Sequence, residues 1–197
     1  MFDYGICTAQ GCRRHRVLEY ETCAAHTPDK EKLSSEVVQL LTQTDALHDQ
    51  SLSGLQIEDL DLSGKEFLRC ELSGASFSRV NFAKTRFRFS FLDFSTLVAC
   101  RFTGVHMRWI IVAGSHIRDC DFTGSELIHC NFLGIDCEQS SFDDSDLYGS
   151  CFTSARLNKV RFVDCNLKRV QYVDAETHAV DFKYSNVEDA IMGSAEL

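Results

Sequence analysis

The residues of this chain whose type and spacing best suit chemistry stand near its start: Cys7 and Cys12, then ten residues, then Cys23 and His26. Thiolate and imidazole are the donors that zinc takes in structural sites, where four protein ligands form a tetrahedron, usually as two close pairs on tight turns. Gly11 suits the turn of the first pair. With all four ligands supplied by protein, no coordination position stays open for water, so the implied role of the zinc is structural. The first pair is more widely spaced than the CxxC of a zinc ribbon, which leaves His15 open as a substitute ligand. The alternative to a metal is three free thiols and a histidine near a helix. A segment this short cannot build an apolar core, however, and metal binding is one way to order it. Arg13, Arg14, His15 and Arg16 form a basic knuckle, open both to a solvated loop and to a nucleic-acid contact.

Elsewhere the reactive residue types are poorly placed for catalysis. The sequence holds no GxGxxG, no GKS or GKT phosphate loop, no GxSxG and no HExxH. Asp143, Asp144 and Asp146 form a carboxylate run of the sort glycosidases use, and His106, His116, His129 and His178 are scattered. Such groups need a cleft that excludes water and shifts their pKa values. The pattern around them predicts none, so the run is expected to be a solvated acidic face and the protein not an enzyme.

That pattern is a period of five. From Ile57 to Leu197 every fifth residue is apolar, with Thr177 the sole polar member, and the register never slips. A second series two residues earlier (Cys70, Ala75, Val80, Thr85, Ser90 and onward) is small or β-branched almost throughout. A helix would need a period of 3.6 and a strand a period of 2. A five-residue stripe this long therefore predicts a solenoid of short repeats.

Stretches such as Cys120-Asp121-Phe122-Thr123-Gly124, Ser145-Asp146-Leu147-Tyr148-Gly149 and Cys165-Asn166-Leu167-Lys168-Arg169 resemble the pentapeptide-repeat family. The resemblance implies an all-β fold, a right-handed quadrilateral parallel β-helix in which four repeats make one coil, so that residues 20 apart stack. The residues bear on this: Phe82, Phe102, Phe122, Phe142, Phe162 and Phe182 follow one another at intervals of 20. About seven coils at ~4.8 Å each make a rod of roughly 34 Å. Cys7–Cys12 and Cys23–His26, with basic residues between, resemble small zinc modules found beside many bacterial and phage domains.

The expected layout is a zinc module over residues 1–27, an amphipathic helix and linker over 28–54, and the β-helix over 55–197. Thr27 is expected to cap the helix with Pro28 in its first turn, and Leu33, Val37, Leu40, Leu41 and Leu47 to form its apolar stripe. This helix should cover the open edge of the first coil. Residues 44–54 are read as the connection. Most of the ten cysteines fall at inward positions, where a thiol is a compact apolar filler. Cys100 and Cys120, 20 apart, come within disulfide reach, yet thiols are expected in a cytoplasmic protein. No run suits a membrane span or a signal peptide, so no membrane association is expected and the localisation is read as cytoplasmic.

The surface offers two candidate partner sites. Phe89 and Trp109, and Phe91 and Ile111, are pairs 20 apart beside Arg88 and Arg108, and should form one apolar patch with the Trp and Arg of interface hot spots. Either a partner or the N-terminal segment folding back would cover it. Asp144 beside Asp164 and Glu126 beside Asp146 should focus acidity. Charge is divided: nine Lys and Arg against six Asp and Glu in residues 51–118 give +3, and six against fifteen in residues 119–197 give −9. Because some members of the resembled family bind DNA gyrase by imitating duplex DNA, gyrase is a candidate partner. Duplex DNA would carry about 20 charges over such a rod, so the imitation is confined to the acidic half. The repeat also runs to the end of the sequence, without the dimerisation helix of those inhibitors. Its uncovered last coil, with Met192 and Leu197, predicts an end-to-end homodimer. The function expected is a protein-interaction scaffold, with the gyrase binder and a nucleic-acid-binding zinc knuckle as alternatives.

Overall fold

The computed structural model describes residues 4–193. A short N-terminal segment is followed by one α-helix, α1 (Lys30–Gln43), and then by short strands, with one 3-10 turn at Val187–Asp189, to the end of the described chain. Asp29, and not Thr27, caps the helix: its side chain accepts from the N–H of Lys32 at 2.9 Å. Pro28 therefore precedes the cap, and the Thr27 hydroxyl instead donates to the C=O of Cys23 at 3.1 Å. Leu33, Val37 and Leu41 are buried on one side of the helix, each four residues from the next as a single face requires, with Leu40 half-buried beside them.

The strands are β1 (Ala46–His48), β2 (Gln56–Glu58), β3 (Glu66–Leu68), β4 (Ser76–Ser78), β5 (Arg86–Arg88), β6 (Thr96–Val98), β7 (His106–Arg108), β8 (His116–Arg118), β9 (Glu126–Ile128), β10 (Asp136–Glu138), β11 (Arg156–Asn158), β12 (Gln171–Tyr172), β13 (Glu176–His178) and β14 (Ile191–Met192). Strands β1, β3, β5, β7 and β9 make one parallel sheet; β2, β4, β6, β8, β10, β11 and β13 make a second on the opposite side. Every pairing has a register of 20, as in Phe67 with Phe87 and Phe77 with Leu97. Between the sheets run two further faces, mostly of single bridges with the same register, among them Phe91 with Ile111 and Arg101 with Asp121; the first of these faces ends in the paired strands β12 and β14. Four faces and a 20-residue coil form a quadrilateral β-solenoid.

The solenoid starts earlier than the apolar series suggested. Leu47 lies on β1, opposite Phe67, and with Leu52 it is buried in the solenoid core. Leu47 is thus not part of the helix stripe, and residues 46–54, expected as a linker, are the first half-coil. Parallel pairing fixes this, because the C=O of Asp45 accepts from the N–H of Glu66 at 2.9 Å.

Inside, the central series is buried from Leu47 to Tyr172, and the small series packs beside it. Phe82, Phe102, Phe122, Phe142 and Phe162 form a continuous stack with ring centroids 4.5–5.0 Å apart and nearly parallel planes. Such offset contacts add about 0.5–1.5 kcal/mol each to burial. Buried serines of the small series close the coils by hydrogen bonds 20 and 23 residues away: Ser125 Oγ accepts from Val105 N–H at 3.2 Å and donates to Phe102 C=O at 2.9 Å. All ten cysteines are free, Cys100 and Cys120 included. In the last coil the order is looser: Thr177 is exposed, and Phe182, Val187 and Met192 are only partly buried. Leu197, expected at the end surface, lies outside the described residues.

Candidate metal centre and partner face

In the N-terminal module the chain doubles back, with an antiparallel bridge between Ile6 and His15 and the Cys7 N–H donating to Arg14 C=O at 2.9 Å. The intervening turn closes through Cys12 N–H to Ala9 C=O at 3.0 Å, and Gly11 there has a φ of +75°, a conformation that glycine adopts without steric cost. A second turn, His26 N–H to Cys23 C=O at 2.9 Å, presents the other pair. These turns bring Cys7, Cys12, Cys23 and His26 together, all four ligand atoms within 4.8 Å of one another. Cys12 Sγ to Cys23 Sγ is 3.9 Å, and His26 Nδ1 lies 3.5 Å from Cys7 Sγ and 3.6 Å from Cys23 Sγ. Tetrahedral zinc with bonds of about 2.3 Å to sulfur and 2.0–2.1 Å to nitrogen would space its ligands about 3.8 Å (S to S) and 3.6 Å (S to N), so the geometry fits.

Electrostatics agree with the distances. Burial works against the Cys7 thiolate, but the backbone N–H groups of Cys23 and Ala9 and the His26 ring outweigh it and bring the thiol down to about 6. For Cys12 the Arg14 N–H favours the thiolate, yet burial and the sulfurs of Cys7 and Cys23 prevail and raise the thiol. Three sulfurs this close resist sharing negative charge, a repulsion that a divalent cation removes. His15 is not a ligand: its Nδ1 faces Glu71 at 3.8 Å, and its ring lies against Tyr4. Of the basic knuckle, Arg16 is tied to Ile6 C=O at 3.0 Å, leaving Arg13 and Arg14 exposed.

The module is joined to the solenoid by its own apolar side. Val17 is fully buried in the common core, and Leu18 N–H donates to Ser51 C=O at 3.2 Å. It thus sits with α1 at the first coil as an end cap.

On the sheet of β1, β3, β5, β7 and β9 lies a groove of 550 Å³ lined by Arg86, Arg88, Phe89, His106, Arg108 and Trp109, with Glu126 at its side. Phe89 is 57% and Trp109 62% exposed, so the described N-terminal segment does not fold back over them. Both have left-handed backbones, φ +51° and +58°, unusual for bulky side chains but repeated at corners throughout this solenoid. Arg88 has no ionic partner among the described residues. The expected patch is partly reassigned: Arg88, Phe89, Arg108 and Trp109 surround the groove, whereas half-buried Phe91 and Ile111 lie round the corner on the next face.

The acidic set is also redistributed. Glu126 pairs with Asp146 in a backbone bridge, but its carboxylate accepts from Arg108 and from His106, the latter at 3.1 Å. Burial opposes its ionisation; those two partners outweigh it and hold the carboxyl below its ordinary range. Asp146 accepts from Asn166 Nδ2 at 2.8 Å, while Asp144 and Asp164 remain exposed. Asp143 of the suspected carboxylate run is paired with Arg161 at 2.9 Å. The acidity is thus laced with arginine and amide, not massed at a single focus.

Two descriptions of one family match this architecture: "Pentapeptide repeat region" over residues 115–192, and "Pentapeptide repeats (8 copies)" over 51–88 and again over 66–108. Together they span more than half the chain. The chain belongs to the pentapeptide-repeat family. Among solved structures, a trypsin-treated form of QnrB1, a plasmid-mediated fluoroquinolone resistance protein, aligns at 17% identity with a TM-score of 0.55, over 76% of this chain and 89% of that one. HetL, a pentapeptide-repeat protein involved in heterocyst differentiation regulation in the cyanobacterium Nostoc sp., aligns at 12% identity with a TM-score of 0.33, over 87% and 100% of the two chains. At 17% identity the likeness to QnrB1 is one of fold alone. No curated protein matches by sequence. Among the described residues no helix is long and apolar enough to cross a membrane.

Proposed function

We propose that this pentapeptide-repeat protein is a non-catalytic, cytoplasmic interaction scaffold whose cap is held by a structural zinc at Cys7, Cys12, Cys23 and His26, and whose partner is a protein docking on the Phe89–Trp109 groove. The observation that carries this reading is an exposed Trp109 and Phe89 beside an unpaired Arg88 on a rigid sheet. Trp and Arg are the residues that most often dominate protein interfaces. The many buried contacts behind them keep the face preformed, so little ordering cost is paid on binding. Affinity capture from the native cell with wild type, Arg88→Glu and Asp144→Asn tests it. A partner retained by wild type and Asp144→Asn but lost by Arg88→Glu supports the groove; identical captures by all three would refute it.

A second reading is a binder of a type II topoisomerase, DNA gyrase. It draws on the fold shared with QnrB1 and on the net −9 of residues 119–197, the count of six Lys and Arg against fifteen Asp and Glu. Weighing against it are the arginines that already pair Asp143 and Glu126. A gyrase supercoiling assay with added protein separates the two readings.

A further inference from the structure

Strand β2 ends its sheet: β4 pairs with it on one side and, among the described residues, no strand on the other. On the paired side Ser76 N–H donates to Leu55 C=O at 2.8 Å and Asp59 N–H to Ser78 C=O at 3.1 Å. By the alternation of a parallel ladder, the N–H and C=O of Gln56 and of Glu58 point the other way. None of those four groups meets a partner among the described residues. Twenty residues earlier, where another coil would pair with β2, the chain reads Glu36-Val37-Val38 and is helical. Helix α1 therefore covers the apolar end of the coil without supplying the missing strand. Between α1 and β2 remains a groove of 690 Å³ lined by Ala24, Leu33, Ser34, Val37, Leu55 and Ile57, a volume in the range of ligand-binding clefts.

We infer that this groove takes an extended peptide segment of another protein as an added strand, paired to the main chain of Gln56 and Glu58. Two features define the occupant. Its backbone must be extended, because the unmet donors and acceptors recur at alternate residues, as β-strand addition requires. Its buried stretch must be uncharged. Lys30 and Glu58 are the two charged side chains of the lining, and each is engaged, Lys30 on Ala24 C=O and Glu58 on Arg79 at 3.2 Å. Side chains of the added strand would alternate, one set apolar against Val37 and Ile57 and the other free in solvent. This site lies at the capped end, away from the Trp109 groove, and does not depend on it.

The test uses random heptapeptides displayed on phage, selected on the full chain. Glu58→Pro removes an N–H that has no intramolecular partner, and proline is tolerated on an edge strand in that orientation. Ser34→Trp, at an exposed helix position on the groove's other wall, fills the groove while leaving the residues of β2 unchanged. Selected peptides should bind wild type and Trp109→Asp alike and lose at least tenfold in affinity on Glu58→Pro and on Ser34→Trp, with circular dichroism unchanged. Amide exchange at Gln56 and Glu58 should slow on binding, and N-methylation of alternate peptide nitrogens should abolish it. Failure to select any peptide that separates wild type from Glu58→Pro overturns the inference, as does equal binding of the N-methylated forms. Because Trp109→Asp retains binding, loss of the Trp109 face as a partner site leaves this result unaffected.

Discussion

The indole of Trp109 lies on the imidazole of His129, ring centroids 4.3 Å apart and planes at 17°. The column continues upward, since His129 meets Tyr148 edge-on at 5.4 Å and Arg169 sits over the Tyr148 ring. It exists because position 149 is glycine: a Cβ there would collide with His129 Nδ1. Gly149→Ala should displace His129 and free one side of the indole. Trp109 is the single tryptophan of the chain, so its emission reports the change directly. A shifted emission maximum, with about 1 kcal/mol lost because alanine is strained at φ +67°, is expected. An unchanged spectrum would show that His129 does not lean over Gly149.

Elemental analysis of chelator-free protein should find one zinc per chain, and Cys23→Ala should abolish it. Removing zinc should loosen the cap, seen as faster exchange of the Leu18 amide that binds Ser51. Metal retained in full by Cys23→Ala would reject the ligand set.

Phe122→Ala should cost about 3–5 kcal/mol, as Phe→Ala changes in packed cores do, because the ring lies between Phe102 at 4.5 Å and Phe142 at 4.7 Å. Phe182→Ala should cost clearly less, since its ring has one stacked neighbour and is half-exposed. Urea denaturation decides, and equal losses would mean the last coil is as well packed as the middle.

Hydrogen bonds from Arg79 hold the Asp59 carboxyl below its ordinary value. A depressed folded value means that the pair stabilises the protein above the unfolded value of about 3.9 and loses that contribution as pH falls through the lower, folded one. Arg79→Met should therefore flatten the fall in stability below about pH 4. An unchanged slope would show that the exposed pair contributes nothing.

The looser last coil makes an end-to-end homodimer testable by sedimentation. Met192→Asp should give monomers if that coil is the contact, and Trp109→Asp should do so if the groove is. A wild-type monomer at high concentration would refute both.

The solenoid was legible because a five-residue period admits neither helix nor strand, and the stacked Phe column fixed the coil at 20. The clustering of Cys7, Cys12, Cys23 and His26 was legible because soft donors in two pairs have few other uses in so short a segment. Where two periods coincide the sequence misled: Leu47 lies at helical spacing from Leu40 and also 20 before Phe67, and only backbone pairing decides between them. Thr27 and Asp29 are both good caps, and the side-chain bond to Lys32 selects the second. Glu126 was read by its straight column, but long side chains reach diagonally. Its partner His106 is 20 residues away, but its other partner Arg108 is 18.

A register of 20 on every face makes the surface a lattice whose rows are coils and whose columns are residue numbers repeating by twenty. Inserting a whole row in mid-rod, for instance a second copy of residues 91–110, would move the two ends apart by ~4.8 Å while leaving each end's own neighbours intact. Deleting a single residue would instead turn every later inward position outward. The molecule is therefore a ruler that lengthens without turning one end against the other only in whole graduations.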